Sequence, residues 1–560
     1  MAGAGCILVG AVAGCGESLP PGDLTAYVPV AKGQCGVGDR PETDLQGRVP
    51  FGDRESGRSQ EAYNCNLDLV GQYQGEGASW QFAWFEDCGY YGTANTANQT
   101  NAGVVVVDVS DPTAPRPTAF LDTIAMLDPW ESLKVDESRQ ILVGVYADEG
   151  SGGPEIDVYD LSADCRDPKL LASGVPLPNG LQQDSSQVGH AGGIEPGGLT
   201  YYGTTVLQKI TAIDLADPTQ PTLITEVNLP VHDLTISADG TRAYAAQMGA
   251  GNVPTAPGLP SGTPPHNGLA ILDTTLVKER APAPTMPVVG SVYWQDGSVA
   301  QNAFPVTIGG RPYVIFTDEQ GPAGLLRLVG GTDGLRDSCD QGLPPWGMAR
   351  IIDISNEALP TVVSRILLEV NDPTYCDMTI HDVSPTDIFG YDSHYCNVDD
   401  PADATILACS YFQSGIRVFD IRDPAAPREI AYYNPGGEAG KKELLNASSH
   451  VERGGDMTAD WCSAQIRIDA TTGRLWTTCQ DNGFMVLQFT NGVWPFTEAT
   501  PRAGVPSESD VDQRQFGGAL MGSGWLLLLG LPLSLLRLRR LLSTGPDCDY
   551  GRIGERRTRA

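Results

Sequence analysis

Three of the six histidines in this chain occupy comparable places in a repeated pattern, and imidazoles brought together in this way can bind a metal ion. They are His190 in "GHAGGIE", His232 in "VHDLTIS" and His394 in "SHYCNV". Asp233 follows His232 directly and adds a carboxylate. Because neutral imidazoles with a carboxylate suit zinc, copper or iron, these residues form a candidate divalent-metal site.

Tryptophans stand at the same place in two other periods of the pattern. They are Trp130 in "PWESLKV" and Trp461 in "DWCSAQ". With the histidines and Asp233 they make a predicted ligand face at one end of a channel. Two alternatives stay open: each histidine bonds a backbone group within its own sheet, and the tryptophans plug the channel instead of binding an organic ligand.

The pattern that would position these residues is a short apolar strand followed by an aspartate and a proline turn. It reads "GVVVVDVSDPTAP" from Gly103 and "GIRVFDIRDPAAP" from Gly415. The residues at the marker position are Asp108, Asp160, Asp214, Asp273, Asp353, Asp420 and Gln488. Successive markers are 52, 54, 59, 80, 67 and 68 residues apart, close to one four-stranded propeller blade with added loops.

The repeat therefore predicts an all-β fold, a seven-bladed β-propeller of four-stranded antiparallel blades. Six or eight blades are the alternatives, because one period is long. We expect "LDLVGQYQ" and "SWQFAWFEDCGYYGTA" to supply the first blade. The aspartate is expected to accept hydrogen bonds from the following turn, which makes it structural and not catalytic.

The repeated stretches carry a family resemblance. "GVVVVDVSDPTAP", "KITAIDLADPTQP" and "GIRVFDIRDPAAP" resemble the LVIVD repeats of bacterial and archaeal surface proteins. The resemblance spans residues 65–492 and implies an exported β-propeller of undefined function. It supplies no catalytic residues that could be assigned to positions of this chain.

Composition and charge limit the classes of partner. The 560 residues include 66 Gly and 42 Pro, which favours many short strands over long helices. A formal net charge of −33 argues against nucleic-acid binding, which needs clustered Lys and Arg. The same charge suits an extracellular surface, a salty medium or loops that attract cations.

Ten cysteines lie in the body of the chain, and their even number without CxxC spacing favours disulfides in an oxidising compartment over zinc binding. Buried free thiols are the alternative. Two hairpins predict the pairs Cys396–Cys409 and Cys462–Cys479. The sequence leaves the connectivity of the others open: Cys35, Cys65, Cys88, Cys165, Cys339 and Cys376.

Both ends of the chain predict export and anchoring. Residues 1–15 resemble a signal peptide with a lipobox ending at Cys15, a candidate lipidation site, although no Lys or Arg precedes the apolar run. A loop-rich arm (16–64) precedes the propeller, and an acidic, Pro-rich linker (493–516) follows it. Residues 517–540 predict a transmembrane helix or a sorting signal, and residues 541–560 form a basic tail.

These features predict a membrane-anchored binding or interaction module at the cell surface. Its expected partners are the membrane, through the C-terminal helix or an N-terminal lipid, and a protein or small-molecule ligand. The first alternative is a metal-dependent oxidase or hydrolase with its site at the channel mouth, using His190, His232 and His394. The second is a structural surface protein. The chain has no G-x-S-x-G elbow, P-loop or H-E-x-x-H motif.

Overall fold

The computed structural model describes residue 24 and residues 26–94, 96–147, 153, 155–174, 189–206, 208–250, 260–324, 332–382 and 389–497. Within these residues 29 strands form seven antiparallel sheets. The first strands of successive sheets lie side by side around a central channel, so the fold is the predicted seven-bladed β-propeller. The propeller lies in the first of two compact units, residues 1–505; the second, 506–560, lies outside the described residues.

Two strands precede the first complete blade, β1 (Tyr63–Cys65) and β2 (Leu67–Tyr73). Blade 1 consists of β3 (Phe82–Phe85), β4 (Cys88–Tyr91), β5 (Val104–Asp108) and β6 (Arg116–Leu121). Blade 2 consists of β7 (Lys134–Asp136), β8 (Ile141–Val145), β9 (Ile156–Asp160) and β10 (Lys169–Ala172). Blade 3 consists of β11 (Ala191–Ile194), β12 (Thr200–Thr205), β13 (Lys209–Asp214) and β14 (Thr222–Val227).

The remaining blades follow the same order. Blade 4 consists of β15 (Val231–Ile236), β16 (Arg242–Gln247), β17 (Gly268–Asp273) and β18 (Val288–Tyr293). Blade 5 consists of β19 (Ser298–Ile308), β20 (Arg311–Gln320), β21 (Ala349–Asp353) and β22 (Thr361–Ile366). Blade 6 consists of β23 (Ser393–Val398), β24 (Ile406–Tyr411), β25 (Gly415–Asp420) and β26 (Arg428–Asn434). Blade 7 begins with β27 (Arg467–Asp469), β28 (Arg474–Cys479) and β29 (Gly483–Phe489).

The fourth strand of blade 7 is β2, from the other end of the propeller. It pairs antiparallel with β29, with Leu67 opposite Phe489. The assignment of "LDLVGQYQ" to the first blade was therefore wrong, because this segment closes the ring at the outer edge of the last one. Closure by β2 leaves the last blade with its full set of strands and fixes the number of blades at seven. Strand β1 adds a fifth strand to blade 6 by pairing with β26.

Each marker aspartate lies at the end of the third strand of its blade and caps the turn that follows. Its carboxylate accepts a hydrogen bond from the backbone N–H two residues on, as from Ser110 to Asp108 at 3.0 Å and from Ala216 to Asp214 at 2.8 Å. The same bond forms in blades 2, 4, 5 and 6. The predicted structural role of the aspartate is confirmed, since the bond sets the turn at which the chain leaves the sheet.

Helices are short and lie between strands. The α-helices are α1 (Phe51–Ser56), α2 (Ile124–Leu127), α3 (Thr275–Lys278), α4 (Thr332–Asp340), α5 (Cys376–Thr379) and α6 (Ser449–Glu452). The 3₁₀ helices span Arg58–Gln60, Glu369–Asn371, Pro373–Tyr375 and Ala439–Leu444. Across the described residues, none of these helices is both long and apolar enough to cross a bilayer. Cys15, the signal segment (1–15), the segments 517–540 and 541–560 and most of the linker lie outside the described residues.

Five disulfides join the ten cysteines of the body. They are Cys35–Cys65, Cys88–Cys165, Cys339–Cys376, Cys396–Cys409 and Cys462–Cys479. Both predicted pairs are confirmed. Such bonds persist in oxidising compartments, which places the propeller in an extracellular type of environment.

The N-terminal arm is attached to blade 6 through a buried ion-pair cluster. The Arg417 guanidinium, on β25, contacts the carboxylate of Glu42 and donates to Glu429 at 2.8 Å. All three side chains are nearly inaccessible to solvent, and a buried charge needs such partners. The arm is thus fastened to blade 6.

Candidate functional site

Five ionisable side chains meet in the channel, and together they are called the His–Glu centre. His232 lies on β15 and His394 on β23, while His190 directly precedes β11. Glu131 lies just before β7, and Glu319 is the penultimate residue of β20. The cluster is therefore supplied by residues on or just before the first strands of blades 2, 3, 4 and 6, and by one residue on the second strand of blade 5. These donor atoms form two overlapping groups with metal-ligand spacing, Glu131–His190–His232 and Glu131–Glu319–His394.

The distances within the His–Glu centre match those between ligands of one ion. Nε2 of His190 lies 3.1 Å from Nε2 of His232. Nε2 of His394 lies 3.3 Å from a carboxylate oxygen of Glu131 and 3.4 Å from one of Glu319. Two donor atoms each at about 2.0–2.2 Å from a metal lie about 3–3.5 Å apart. Each of the two groups could therefore hold an ion without large movement, and Glu131 is common to both.

The imidazole of His394 is oriented for this role by a backbone contact. Its Nδ1 bonds the carbonyl oxygen of Ser463, so the ring points Nε2 at the two glutamates. His394 is fully buried, and its Nε2 makes no hydrogen bond of good geometry among the described residues. This nitrogen lies at ion-pair distance from the Glu131 and Glu319 carboxylates, and a bound metal would take the place of its proton between them.

Burial and charge shape the ionisation of the His–Glu centre. Burial opposes a charge on His394, but attraction to Glu131 and Glu319 outweighs it and raises the pKa of His394 to about 10. Burial, with repulsion from His190, lowers the pKa of His232 to about 3. Burial also raises the pKa of Glu319, while attraction to His394 and His232 overcomes burial and lowers the pKa of Glu131. The cluster thus combines a neutral imidazole with a charged His394–Glu131 pair.

Neutral side chains hold Glu131 in place from one side. Gln301 donates to its carboxylate at 2.7 Å, and the hydroxyl of Tyr395 lies 2.9 Å from the same oxygen. The Tyr395 hydroxyl also lies 3.2 Å from a carboxylate oxygen of Asp233, which accepts from Asn302 at 3.0 Å. These bonds resemble the outer-shell contacts that orient metal ligands.

An aromatic layer covers the opposite side of the His–Glu centre. It consists of Trp80, Trp130, Phe389, Phe412 and Trp461. The Trp80 ring centroid lies 6.1 Å from that of His394, and the Trp130 centroid lies 5.8 Å from that of His190. Trp461 stacks on His450, with centroids 4.4 Å apart. The layer shields the centre from water, and only His190, whose side chain is 13% exposed, is partly accessible there.

A cavity of about 750 Å³ occupies the channel beyond Tyr395. It is lined mainly by apolar side chains of blades 3 to 6, among them Ile194, Leu234 and Phe304. Lys134 reaches it from blade 2. The channel therefore contains a buried polar cluster between an aromatic layer and a largely apolar cavity.

The family model described as "LVIVD repeat" matches residues 98–121, which include the whole of β5 and β6. This stretch contains the marker Asp108 and its turn. The chain is a seven-bladed β-propeller that contains an LVIVD repeat, and it is called the LVIVD-repeat propeller below.

Two solved structures are similar to this LVIVD-repeat propeller. One is a functionally unknown protein from Desulfotomaculum acetoxidans DSM 771, with 13% identity, a TM-score of 0.39 and coverage of 63% of this chain and 84% of that chain. The other is Kuenenia stuttgartiensis hydrazine synthase, with 13% identity, a TM-score of 0.42 and coverage of 75% of this chain and 96% of that chain. No curated protein matches the chain.

The LVIVD-repeat propeller brings His190, His232 and His394 together, as their common place in the pattern led us to expect. Asp233 lies on the side of Tyr395 and belongs to neither of the two groups with metal-ligand spacing. Trp130 packs beside His190, while Trp461 belongs to the aromatic layer. Whether any of these residues binds a ligand stays a prediction.

Sequence reasoning missed the two glutamates of the LVIVD-repeat propeller. Glu131 follows the selected Trp130 directly, so a signal was present one residue away. Glu319 lies in "FTDEQ" at the end of a second strand, outside the set of first-strand positions that were compared. A search for carboxylates at both strand ends nearest the histidines would have included it.

Proposed function

We propose that this protein is an exported β-propeller that binds one divalent transition-metal ion at its His–Glu centre and uses it as an oxidase or hydrolase acting on a small molecule. The observation that carries this proposal is the pair of overlapping donor groups at ligand spacing in a buried site, Glu131–His190–His232 and Glu131–Glu319–His394. Imidazole nitrogens and carboxylate oxygens at this spacing are the ligands that zinc and iron take in proteins.

The donor set favours a particular group of metals. Imidazole nitrogen suits zinc, copper, iron and nickel, while carboxylate oxygen extends the range to manganese. Thiolate ligands are absent from the described part of the chain, because its ten cysteines are all in disulfides. The centre is therefore suited to zinc, iron or manganese in the divalent state, and not to Cu(I).

A small molecule could reach the metal beside His190. The other four side chains of the His–Glu centre are at most 9% exposed, against 13% for His190. Trp130, next to His190, has a partly exposed ring that could contact an arriving substrate. Low water access would strengthen the electrostatic effect of a bound metal on that substrate.

Metal analysis of the purified full chain tests this function. We expect one zinc, iron or manganese ion per chain, lost in His232→Ala, His394→Ala and the partly exposed His190→Ala. His266→Ala is the matched control, because His266 lies outside the centre and should leave the metal content unchanged. Near-ultraviolet circular dichroism confirms that each variant is folded. A folded wild-type chain without metal, or variants with undiminished metal, would rule the proposal out.

The same proposal includes export and attachment to the membrane. The five disulfides support an oxidising compartment. Residues 1–15, with Cys15 as the lipid acceptor, and residues 517–540 are the proposed anchors. Mass spectrometry of the mature protein distinguishes them, because a lipidated Cys15 and a removed C-terminal segment each give a characteristic mass. An intact, unmodified chain in the soluble fraction would contradict anchoring.

A further inference from the structure

We propose that the channel cavity beyond Tyr395 is a second binding site, and that it takes a small organic monocarboxylate with an apolar body. The cavity lies on the opposite side of Tyr395 and Asp233 from the histidines. Its occupant would be separate from any molecule that approaches beside His190. The proposal concerns Lys134 and the cavity walls and does not require a metal.

The size and lining of the cavity suit an organic molecule. Its volume is about 750 Å³, within the range of roughly 300–1,000 Å³ for pockets that bury a small ligand. Ile194, Leu234, Phe304 and Val306 supply apolar wall. An inorganic ion alone would leave this surface in contact with water, whereas an apolar body would bury it.

Lys134 gives the cavity its charge preference. It is the single charged side chain among the described residues that line the cavity. The described oxygens nearest its ammonium are the Glu131 carbonyl at 3.5 Å and a carboxylate oxygen of Asp233 at 3.6 Å. Ammonium–carboxylate hydrogen bonds are usually about 2.7–2.9 Å long. The ammonium therefore retains donor capacity toward a ligand in the cavity.

Asp233 does not satisfy this ammonium, because neutral groups already surround its carboxylate. One oxygen accepts from Asn302 at 3.0 Å and lies 3.2 Å from the Tyr395 hydroxyl. The other accepts from the Leu234 backbone N–H at 2.7 Å. Lys134 is thus held close to Asp233 without a direct hydrogen bond, and its side chain is 20% exposed.

The single cation selects the ligand class. One ammonium can balance one carboxylate, whereas a phosphate dianion needs several donors such as a bidentate Arg, and no Arg lines the cavity among the described residues. A neutral molecule would add no charged partner to the ammonium, which has Asp233 at 3.6 Å without a direct hydrogen bond. A monocarboxylate with its head at Lys134 and its body against Phe304 meets both requirements.

Calorimetric titration of the full chain tests this site, with octanoate and benzoate as probes at concentrations below micelle formation. We expect at least one of the two acids to bind, and octanol and acetate to bind at least tenfold more weakly. Lys134→Met should weaken binding of the acid at least tenfold, while Lys134→Arg should keep the affinity for the acid within about threefold of the wild-type value. Lys441→Met is the matched control, because this exposed lysine lies outside the cavity and should leave binding unchanged.

The same titrations are carried out on metal-loaded and chelator-treated protein, so that failure of this site and failure of the His–Glu centre are distinguishable. Lys134→Met should keep the wild-type metal content and thermal unfolding midpoint. Three results would each overturn the proposal. They are binding of neither acid by the wild-type chain, binding of octanol as tightly as the acids, and binding of the acid by Lys134→Met as tightly as by the wild type. Acid binding by chelator-treated protein is expected, whereas a wild-type chain that is purified without metal, takes none up on loading and still binds the acid would overturn only the proposed metal function.

Discussion

The hydroxyl of Tyr395 lies 2.9 Å from Oε2 of Glu131, the carboxylate that faces all three channel histidines. Both side chains are buried, so this contact persists without competition from water. It links the His–Glu centre to the layer of Asp233 and Asn302 and restrains the rotamer of Glu131. A ligand carboxylate that is held in this way needs less reorganisation when a metal binds.

Tyr395→Phe should weaken metal binding about 10- to 100-fold, because Glu131 loses the bond that orients it. Competition with a chelator of known affinity measures the change. Tyr411→Phe is the matched control: Tyr411 is also buried in blade 6, and its hydroxyl makes no hydrogen bond among the described residues. Equal metal affinity in the two variants would show that the Tyr395 contact does not orient a ligand.

Leu67→Ala should lower the free energy of unfolding by about 2–4 kcal/mol, because Leu67 is fully buried where β2 closes blade 7. Leu69 lies on the same strand, and its side chain is 36% exposed. Leu69→Ala should therefore change the free energy of unfolding by less than about 0.5 kcal/mol. Urea unfolding followed by tryptophan fluorescence provides both values. Similar losses in the two variants would mean that β2 is not packed at the last blade.

Removal of the Cys88–Cys165 disulfide should destabilise the propeller more than removal of Cys396–Cys409. The first closes a loop of 77 residues between blades 1 and 2, and the second a loop of 13 within blade 6. Loop-closure entropy predicts losses of about 4.5 and about 3 kcal/mol, respectively. Paired Cys→Ala variants compared in guanidinium chloride provide the measurement, and a reversed order would contradict the entropic account.

Asp108→Asn should lower the free energy of unfolding by about 1–3 kcal/mol at neutral pH, because Asp108 is buried and bonded to Ser110 and Arg116. Burial favours its neutral form, but these bonds outweigh burial and hold its pKa well below the usual range. Because the pKa of Asp108 is lower in the folded protein, its charge stabilises the folded state at pH values above the unfolded-state pKa of about 3.9. This stabilisation is lost as the pH falls below that value toward the folded-state pKa.

The difference between the two proteins should therefore be full above about pH 4 and shrink as the pH falls from there toward the lower folded-state pKa, so that their unfolding midpoints approach each other in acid. Asp111→Asn is the control, since Asp111 is exposed and accepts only from Thr113. We expect Asp111→Asn to change the free energy of unfolding less than Asp108→Asn does at neutral pH. A constant difference between wild type and Asp108→Asn from pH 3 to pH 7 would show that the charge of Asp108 is not what stabilises the turn.

The number of blades could be predicted because residues such as Asp108 mark the same corner of each sheet. The side-chain hydrogen bond is local, so a single sequence displays it. The place of β2 could not be predicted in this way. Leu67 pairs with Phe489 across more than 400 residues, and nothing within β2 specifies which blade edge it joins.

The histidines of the site could be predicted because they begin equivalent strands at one level of the channel. Glu131 was missed for a conformational reason. Trp130 lies in a turn before β7 and has a φ of +46°, a left-handed conformation, so the direction of the next side chain does not follow from strand alternation. Glu319 depends on the pairing of β19 with β20, whose register shifts between Ala300 and Asn302. A bulge of this kind leaves no clear mark in one sequence.

The pairing of β2 with β29 sets the order of events during biogenesis. Strand β2 is synthesised before the blades, and this strand must wait for its partner β29 until nearly the entire propeller has been made. Earlier blades can form in sequence meanwhile, yet the circle stays open and its channel unfinished. Maturation therefore ends with a single late docking event between the oldest and youngest parts of the polypeptide.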